Sequence, residues 1–158
     1  MDMKYSEFTD NVAFVDFDKS FLKISYKWLN NAKIKKLTMT PDFTEKDQLV
    51  WYNSLKDNKS YKIWGVKYGK TPIGVCGLKK ITDTEAEYWG YIGDDKYWGK
   101  GIGRLMMEHT FSYSRQIGLK RLYLNVWREN DRAIHLYKKL QFKEESRGDD
   151  TIKMTKTL

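Results

Sequence analysis

The most chemically suggestive stretch of this sequence is a glycine-rich loop from Trp98 to Arg104, which reads WGKGIGR. Glycines at alternate positions carry no Cβ atom, so a ligand can approach the backbone closely. N–H groups exposed in this way, beside the positive end of a helix, form a cradle for an anion such as a pyrophosphate. The loop lacks the Lys-Ser/Thr ending of a P-loop and the glycine spacing of a dinucleotide fold, so by itself it also fits a flexible connection.

A second group of chemically interesting residues lies about thirty positions later, in the string ENDRAIHLYKKLQF. It contains Asn130, Ala133, Tyr137, Lys139 and Phe142. Ala133 and Tyr137 are four apart and therefore share one face of a helix. A tyrosine on such a face is more often packed in a core than catalytic, so this group also has a purely structural explanation.

The pattern of apolar residues predicts the elements that position both groups. Period-two alternation predicts strands, at 11–17, 61–68, 73–81, 86–92, 121–127, 142–146 and 151–157. Helical periodicity and capping residues predict helices at 21–37 (interrupted at Asn30-Asn31), at 44–55 with Thr44 as N-cap, at 102–117 ending before Gly118, and at 131–140. The order of these elements predicts a mixed α/β fold around one sheet, in a single domain spanning residues 1–158.

Composition narrows the function classes. The net charge is +8, but the lysines are spread along the chain, which favours small phosphorylated ligands over nucleic acid. The sequence has no apolar stretch that could span a membrane and no apolar leader at its beginning, so we expect a cytoplasmic protein that does not bind membranes. Cys76 is the only cysteine, which excludes an internal disulfide and a multi-cysteine metal site. We expect neither His109 nor His135 to be catalytic or to bind metal.

Together, the glycine-rich loop opening a helix, the strand after it and the pattern N-x-x-A-x-x-x-Y-x-K-x-x-F resemble the GCN5-related N-acetyltransferase (GNAT) superfamily. The resemblance covers about residues 73–142 well and extends to the N-terminal half through the order of elements. It implies a single, mixed and mostly antiparallel sheet of six to seven strands flanked by about four helices. It also implies acetyl-coenzyme A as co-substrate, without a metal, and direct attack of an amine on the acetyl group.

The resemblance assigns roles to individual residues. Backbone N–H groups of the loop from Trp98 to Arg104 would hold the coenzyme pyrophosphate, and main-chain groups of Tyr91 and Ile92 would pair with the pantetheine arm and polarise the thioester carbonyl. Asn130 and Ala133 would border the coenzyme. Tyr137 would protonate the departing thiolate, since a phenol with a pKa of about 10 can protonate the thiolate of a thiol with a pKa of about 8.5. The full predicted coenzyme set is Tyr91, Ile92, Trp98, Gly99, Lys100, Gly101, Ile102, Gly103, Arg104, Asn130, Ala133 and Tyr137.

The sequence departs from the family pattern at three places. Trp98 replaces the usual Gln or Arg at the start of the glycine-rich motif, and Gln141 replaces the common glycine before Phe142. Asn125 stands on the strand where some protein N-terminal acetyltransferases carry a glutamate base. Glu87 is then the best remaining acid/base candidate, although a solvated residue after a turn is an equally good interpretation of it.

The middle of the chain resembles, more specifically, the enzymes that N-acetylate nucleotide-linked 4-amino-4,6-dideoxy sugars in pseudaminic-acid-type biosynthesis. The parallel rests on GVCGLKKITDTEAEYWGYIG, QLVWYNSL and WLNNAKIKKLTM. By this analogy the acceptor, a small-molecule amine such as a UDP-linked sugar, would contact Trp28, Met39, Trp51, Lys80 and Tyr88. Alternatives are a protein N-terminal (ribosomal-protein-like) or polyamine N-acetyltransferase and a non-catalytic acyl-coenzyme A-binding domain. A homodimer through an exposed sheet edge is compatible with the pattern.

Overall fold

Seven strands and five helices lie wholly within residues 9–158, which are the residues that the computed structural model describes. The strands are β1 (Val12–Asp16), β2 (Lys62–Tyr68), β3 (Thr71–Lys79), β4 (Glu85–Ile92), β5 (Arg121–Trp127), β6 (Lys143–Arg147) and β7 (Thr151–Thr157). The helices are α1 (Ser20–Asn30), α2 (Ala32–Thr38), α3 (Glu45–Ser54), α4 (Ile102–Gln116) and α5 (Asp131–Lys139). None of the helices in this range is long and apolar enough to cross a membrane.

The strands form one sheet in the order β1-β2-β3-β4-β5-β7-β6. Every neighbouring pair is antiparallel except β4 and β5, which are parallel and are connected through α4. The predicted mixed, mostly antiparallel α/β sheet is therefore confirmed. Five helices replace the predicted four or so because Asn31 is extended (φ −66°, ψ 127°) and its side chain accepts hydrogen bonds from the N–H groups of Lys33 and Ile34, which starts a new helix.

Local chemistry explains most element boundaries. Thr44 caps α3 as predicted, in a capping box with Asp47. Gly118 follows α4 with φ +85°, the left-handed conformation that favours glycine after a helix. Several boundaries differ by one residue, and β3 differs by two at each end, since it spans Thr71–Lys79 instead of the predicted 73–81. The register shift opposite Val66 and Lys67 accommodates Pro72 inside the strand.

Each face of the sheet carries its own apolar core. The first core lies between the sheet and helices α4 and α5, and includes Met107 and Leu122. The second lies under α1 and α2 and is built around Phe21 and Trp28. The Trp28 ring lies so close to Gly93 that a Cβ atom there would be 2.0 Å from it, so glycine is required at that position.

The sheet opens between its two parallel strands. β4 and β5 pair only at Glu85 with Arg121, Ala86 with Leu122 and Glu87 with Tyr123. Beyond this short joint the two strands have no register with each other, and a cleft separates Tyr88–Ile92 from Leu124–Trp127. The helices that follow the two strands, α4 and α5, begin at the same end of the sheet. Carboxyl ends of parallel strands that part in this way are a common place for ligands to bind.

Candidate active site

The wall of the cleft formed by β4 directs the main-chain groups of Ile92 toward the cleft. In an antiparallel pair, alternate residues direct both their N–H and C=O groups toward the partner strand. The N–H of Gly93 donates to the carbonyl oxygen of Ile73 on β3 at 2.7 Å, so the main chain of Ile92 points to the other side, into the cleft. Tyr91 pairs in register with Val75, and its main chain therefore faces β3. Of the two predicted main-chain contacts, only Ile92 faces the cleft.

The glycine-rich loop ends in an uncapped helix start at the mouth of the cleft. Gly99 and Gly101 have φ values of +70° and +84°, which a side chain would disfavour. Gly101 is the N-cap of α4 and supplies no side-chain oxygen, and the first turn holds no acidic residue. The first N–H groups of α4 therefore remain available to an anion. Gly103 lets α5 approach, because a Cβ there would be 3.2 Å from Leu136.

Helix α5 follows β5 and begins at the same end of the cleft as α4. Its N-cap Asn130 accepts a hydrogen bond from the N–H of Ala133 at 3.4 Å, which places both residues at the helix start as predicted. Tyr137, one turn farther, packs its ring 6.4 Å from Tyr88 and 5.8 Å from Phe142. Burial raises the pKa of Tyr137 to about 12, so the phenol is protonated at neutral pH. Gln141 has φ +75°, which explains why a glycine is common at this position.

A nearly buried carboxylate lies at the base of the cleft on the sheet face that carries α1 and α2. Glu87 belongs to the last residue pair before β4 and β5 part, and only 8% of its side chain is exposed. Its Oε2 accepts a hydrogen bond from Asn125 at 3.2 Å, and Lys79 lies 3.8 Å from the same oxygen. Its Oε1 is buried without a hydrogen bond, 3.6 Å from the ammonium group of Lys80. This oxygen therefore keeps lone pairs that no hydrogen bond occupies.

Two aromatic residues on the same face of β5 were not predicted as site residues. Tyr123 and Trp127 flank Asn125, and alternation along a strand places all three on the face of Glu87. The ammonium group of Lys153 lies 4.7 Å from the Tyr123 ring, and that of Lys36, on α2, lies 5.5 Å from the Trp127 ring. The alternation of RLYLNVW, with both aromatics on the side opposite Leu122 and Leu124, is the sequence signal that could have identified them.

The predicted acceptor residues are not all on this face. Lys80 reaches Glu87 as described, with a backbone φ of +54°, and Met39 ends α2 in a left-handed conformation with 37% of its surface exposed. Trp28 is packed in the second core, and Trp51 packs its ring 5.9 Å from Phe17. Tyr88 needs a correction, because it points into the first core, opposite to Glu87, and is 4% exposed. Its ring supports Tyr137 instead of an acceptor.

Trp98 stands across the mouth of the cleft. Its indole N–H donates to the carbonyl oxygen of Ile92 at 3.1 Å, and its ring lies between Lys33 of α2 and Arg132 of α5, 5.3 Å and 5.6 Å from the two cations. A cavity of about 810 Å³ adjoins it. The cavity is lined by Ile24, Tyr26, Lys27, Trp28, Asn30, Asn31, Ala32, Lys33, Ile34, Gly93, Asp94, Asp95 and Trp98.

The remaining candidate groups have packing roles. Cys76 is fully buried, and burial raises the pKa of its thiol well above the ordinary range, which makes it a poor nucleophile. His109 stacks on Phe14 at 4.2 Å and meets Trp64 edge-on at 4.6 Å. In residues 9–158 no three histidine, cysteine or acidic side chains come together in a way that could hold a metal ion.

Comparison with known proteins identifies the family. The profile of the acetyltransferase (GNAT) family matches residues 26–142, so the chain belongs to this family. Spermidine N(1)-acetyltransferase of Vibrio cholerae is 27% identical over 133 residues, which cover 81% of this chain and 76% of that protein. Streptothricin acetyltransferase of Streptomyces lavendulae is 43% identical over 44 residues, which cover 28% of this chain and 23% of that protein. An uncharacterised protein of Methanocaldococcus jannaschii is 23% identical over 66% of this chain, and the match spans only 20% of that protein.

Solved structures show the same fold. The spermidine N-acetyltransferase of Vibrio cholerae, in complex with CoA and spermine, superposes with a TM-score of 0.84 at 23% identity, covering 94% of this chain and 96% of that one. The N-acetyltransferase PseH of Campylobacter jejuni superposes with a TM-score of 0.72 at 18% identity, covering 93% and 98%. At these low identities the superpositions establish the shared fold alone.

Proposed function

We propose that this GNAT-family chain is an acetyl-CoA-dependent N-acetyltransferase whose acceptor is the amino group of a nucleotide-linked amino sugar, such as a UDP-linked 4-amino-4,6-dideoxy sugar. The observation that carries the proposal is the cleft between β4 and β5. It brings together an anion cradle at the start of α4, a protonated phenol at Tyr137 and a buried carboxylate at Glu87. These are the parts that acetyl transfer to an amine requires.

The residues of the cleft fit the coenzyme. The uncapped N–H groups at the start of α4 would hold its pyrophosphate, with Lys100 and Arg104 nearby in the sequence. The cleft-facing main chain of Ile92 would pair with the pantetheine arm and polarise the thioester carbonyl. Asn130 and Ala133 would border the arm from α5. Bound there, acetyl-CoA supplies the activated acetyl group.

Two residues of the chain would manage the protons of the reaction. The amine nitrogen forms a bond to the acetyl carbon, the carbon–sulfur bond breaks, and the amine loses the proton that the sulfur ultimately gains. Glu87 Oε1 would accept the proton of the amine, directly or through one water molecule. A thiol with a pKa of about 8.5 is a stronger acid than Tyr137, so full transfer from the phenol is uphill. Tyr137 would instead stabilise the departing sulfur mainly by donating a hydrogen bond.

Charge on the acceptor side favours an anionic acceptor. Helices α1 and α2 and the residue before them contribute six lysines, and no acidic residue occurs between Asp18 and Asp42. Lys36 of this segment reaches Trp127, and Lys79 and Lys80 neutralise Glu87. The lysines would attract a diphosphate, and the half-buried Tyr123 and Trp127 of β5 offer a base or sugar ring a stacking surface.

A polyamine is the second candidate acceptor. The Vibrio cholerae spermidine N(1)-acetyltransferase matches 81% of this chain, and the structure of the spermidine enzyme superposes with a higher TM-score than PseH does. A polycation, however, needs several carboxylates around it. Glu87 is already flanked by two lysines, which is the reason for placing the polyamine second.

The test is thiol release from acetyl-CoA with a UDP-linked 4-amino-4,6-dideoxy sugar, beside spermidine, spermine and a peptide panel. We expect turnover with the sugar and an added acetyl mass on it. Trp127→Ala should raise the KM of the sugar and leave the KM of acetyl-CoA unchanged. Tyr52→Ala, at a half-buried ring of α3 that packs on Phe17, serves as the control and should change neither KM. Turnover with spermidine and none with the sugar would contradict the sugar acceptor and identify a polyamine as the acceptor. Coenzyme binding without turnover on any acceptor would contradict the proposed activity.

A further inference from the structure

Trp98 occupies a main-chain group that the coenzyme would need. Ile92 is the cleft-facing residue near the end of β4, and its carbonyl oxygen accepts the Trp98 indole N–H at 3.1 Å. A ligand arm lying along β4 must form strand-like hydrogen bonds with the same main chain. The Trp98 side chain and such an arm therefore compete for one acceptor.

Two cations hold the Trp98 ring in this position. Lys33 approaches it from α2 and Arg132 from α5, at 5.3 Å and 5.6 Å. Lys33 also pairs with Asp95, in the loop just before Trp98, at 3.3 Å. The indole thus joins α2 to α5 across the mouth of the cleft. Each of these contacts is individually weak, and Gly99, which follows with φ +70° and nothing within 4 Å of its Cβ position, leaves room for the loop to move.

We infer that Trp98 is a positioning residue whose indole N–H competes with the pantetheine arm for the Ile92 carbonyl, so the indole must leave that oxygen before the arm can bind. This inference rests on the coenzyme site proposed above. Displacement of the indole would also remove the ring from Lys33, which keeps its ion pair with Asp95, and so change the contacts of α2, the helix whose Lys36 lies over the acceptor face at Trp127. Coenzyme binding would therefore prepare the acceptor side, and the coenzyme would bind before the acceptor.

The experiment is calorimetric titration of the full-length protein with coenzyme A alone, which makes the result independent of the acceptor. Trp98→Phe keeps an aromatic ring but removes the competing N–H. Because a hydrogen bond contributes a modest net free energy, the Kd of coenzyme A should fall by about threefold to tenfold. Lys33→Met, which loosens the ring from the α2 side, should lower the Kd in the same direction by a smaller factor. Trp64→Phe, the same exchange at a ring packed against His109 and Tyr113, should leave the Kd unchanged.

A Kd that rises or stays constant in Trp98→Phe would overturn the inference, because the indole would then support the coenzyme or be irrelevant to it. If Trp98→Phe does not fold, Lys33→Met decides alone by the direction of its effect. The wild-type protein should also bind acceptor measurably only when coenzyme is present, and acceptor binding to the coenzyme-free protein would contradict the binding order. A wild-type protein that binds no coenzyme A would overturn both this inference and the proposed coenzyme site, whereas failure on the sugar acceptor would leave the inference intact.

Discussion

The exchange Glu87→Gln separates chemistry from folding at this site. The amide has the size of the carboxylate, and its carbonyl oxygen can still accept the hydrogen bond of Asn125, which lies 3.2 Å from Oε2. What is lost is the ability to accept a proton. General-base catalysis typically contributes about 10²- to 10⁴-fold, so we expect kcat to fall by about 10³-fold, which corresponds to about 4 kcal/mol of activation free energy.

The stability cost of this exchange should be small. The two lysines beside Glu87 keep access to water, since 36% of the Lys79 side chain and 70% of the Lys80 side chain are exposed. Solvent-screened pairs contribute up to about 1 kcal/mol. For a protein of this size, that lowers the melting temperature by only about 2–4 °C. The variant should therefore be folded and nearly inactive.

Thiol release at saturating coenzyme and acceptor measures kcat, and calorimetry with coenzyme A measures whether the cleft is intact. Glu85→Gln is the matched control, because Glu85 lies two residues earlier on the same strand face and pairs with Arg121 at the surface at 3.1 Å. We expect it to retain wild-type kcat. A Glu87→Gln enzyme within threefold of wild type would refute the assignment of Glu87 as the base, and would leave proton removal to water.

Three further predictions follow from single residues. Tyr137→Phe should lower kcat by about tenfold to a hundredfold, the value of a hydrogen bond to a charged group, without changing the Kd of coenzyme A; an unchanged kcat would exclude the phenol. Gln141→Gly should raise the free energy of unfolding by about 1 kcal/mol in urea titrations, because φ +75° strains a side chain; a loss of stability would contradict this. Burial and, secondarily, Lys62 lower the pKa of His109, so the fold favours neutral imidazole: this contribution to stability is complete above about pH 6.5 and is lost as pH falls toward the lower folded pKa. In the His109→Gln variant, the free energy of unfolding should no longer decrease through this group as pH falls below about 6.5. An unchanged pH dependence would show that other groups cause it.

The order of elements could be predicted from the sequence because its strands alternate cleanly and its helices carry local signals. The strand RLYLNVW and the cap at Thr44 show this, since both depend on nearest neighbours along the chain. The break after Asn30 was also visible in the sequence. That it divides one predicted helix into two depends on the side-chain cap at Asn31, which pattern alone does not reveal.

Site residues that act through their backbone conformation could be predicted from the motif. Residues whose role depends on which face of the sheet they occupy were harder to predict. The loop residues Gly99 and Gly101 precede α4 and Asn130 caps α5, which agrees with the predicted bounds of these two helices. Tyr88 was placed with the acceptor, although a one-residue step along β4 separates it from Glu87 and directs it into the opposite core. The roles of Lys36 and Lys153 depend on α2 and β7 meeting β5, and such long-range contacts have no local signature.

The edge of the sheet formed by β6 is charged and irregular. All five residues of β6 are exposed, Glu144 and Arg147 pair on it at 2.9 Å, and a register shift interrupts it. Charges and irregularities of this kind discourage edge-to-edge association. The expected homodimer therefore stays a prediction, and the β6 edge is a poor place for it.

Because β4 and β5 pair over only three residues, the sheet is divided into two halves by the gap between these strands. Within the single sheet, β1 to β4 form one antiparallel half and β5 to β7 the other, and three residue pairs join the two halves. Hydrogen bonds that an uninterrupted sheet would make with itself are thus left for a bound ligand to complete. A coenzyme arm bound in this gap would form strand-like hydrogen bonds with both halves of the sheet. Coenzyme binding would therefore also stabilise the association of the two halves. The amide protons of Tyr88, Gly90 and Ile92, which face the gap, would then report on both through their exchange with solvent.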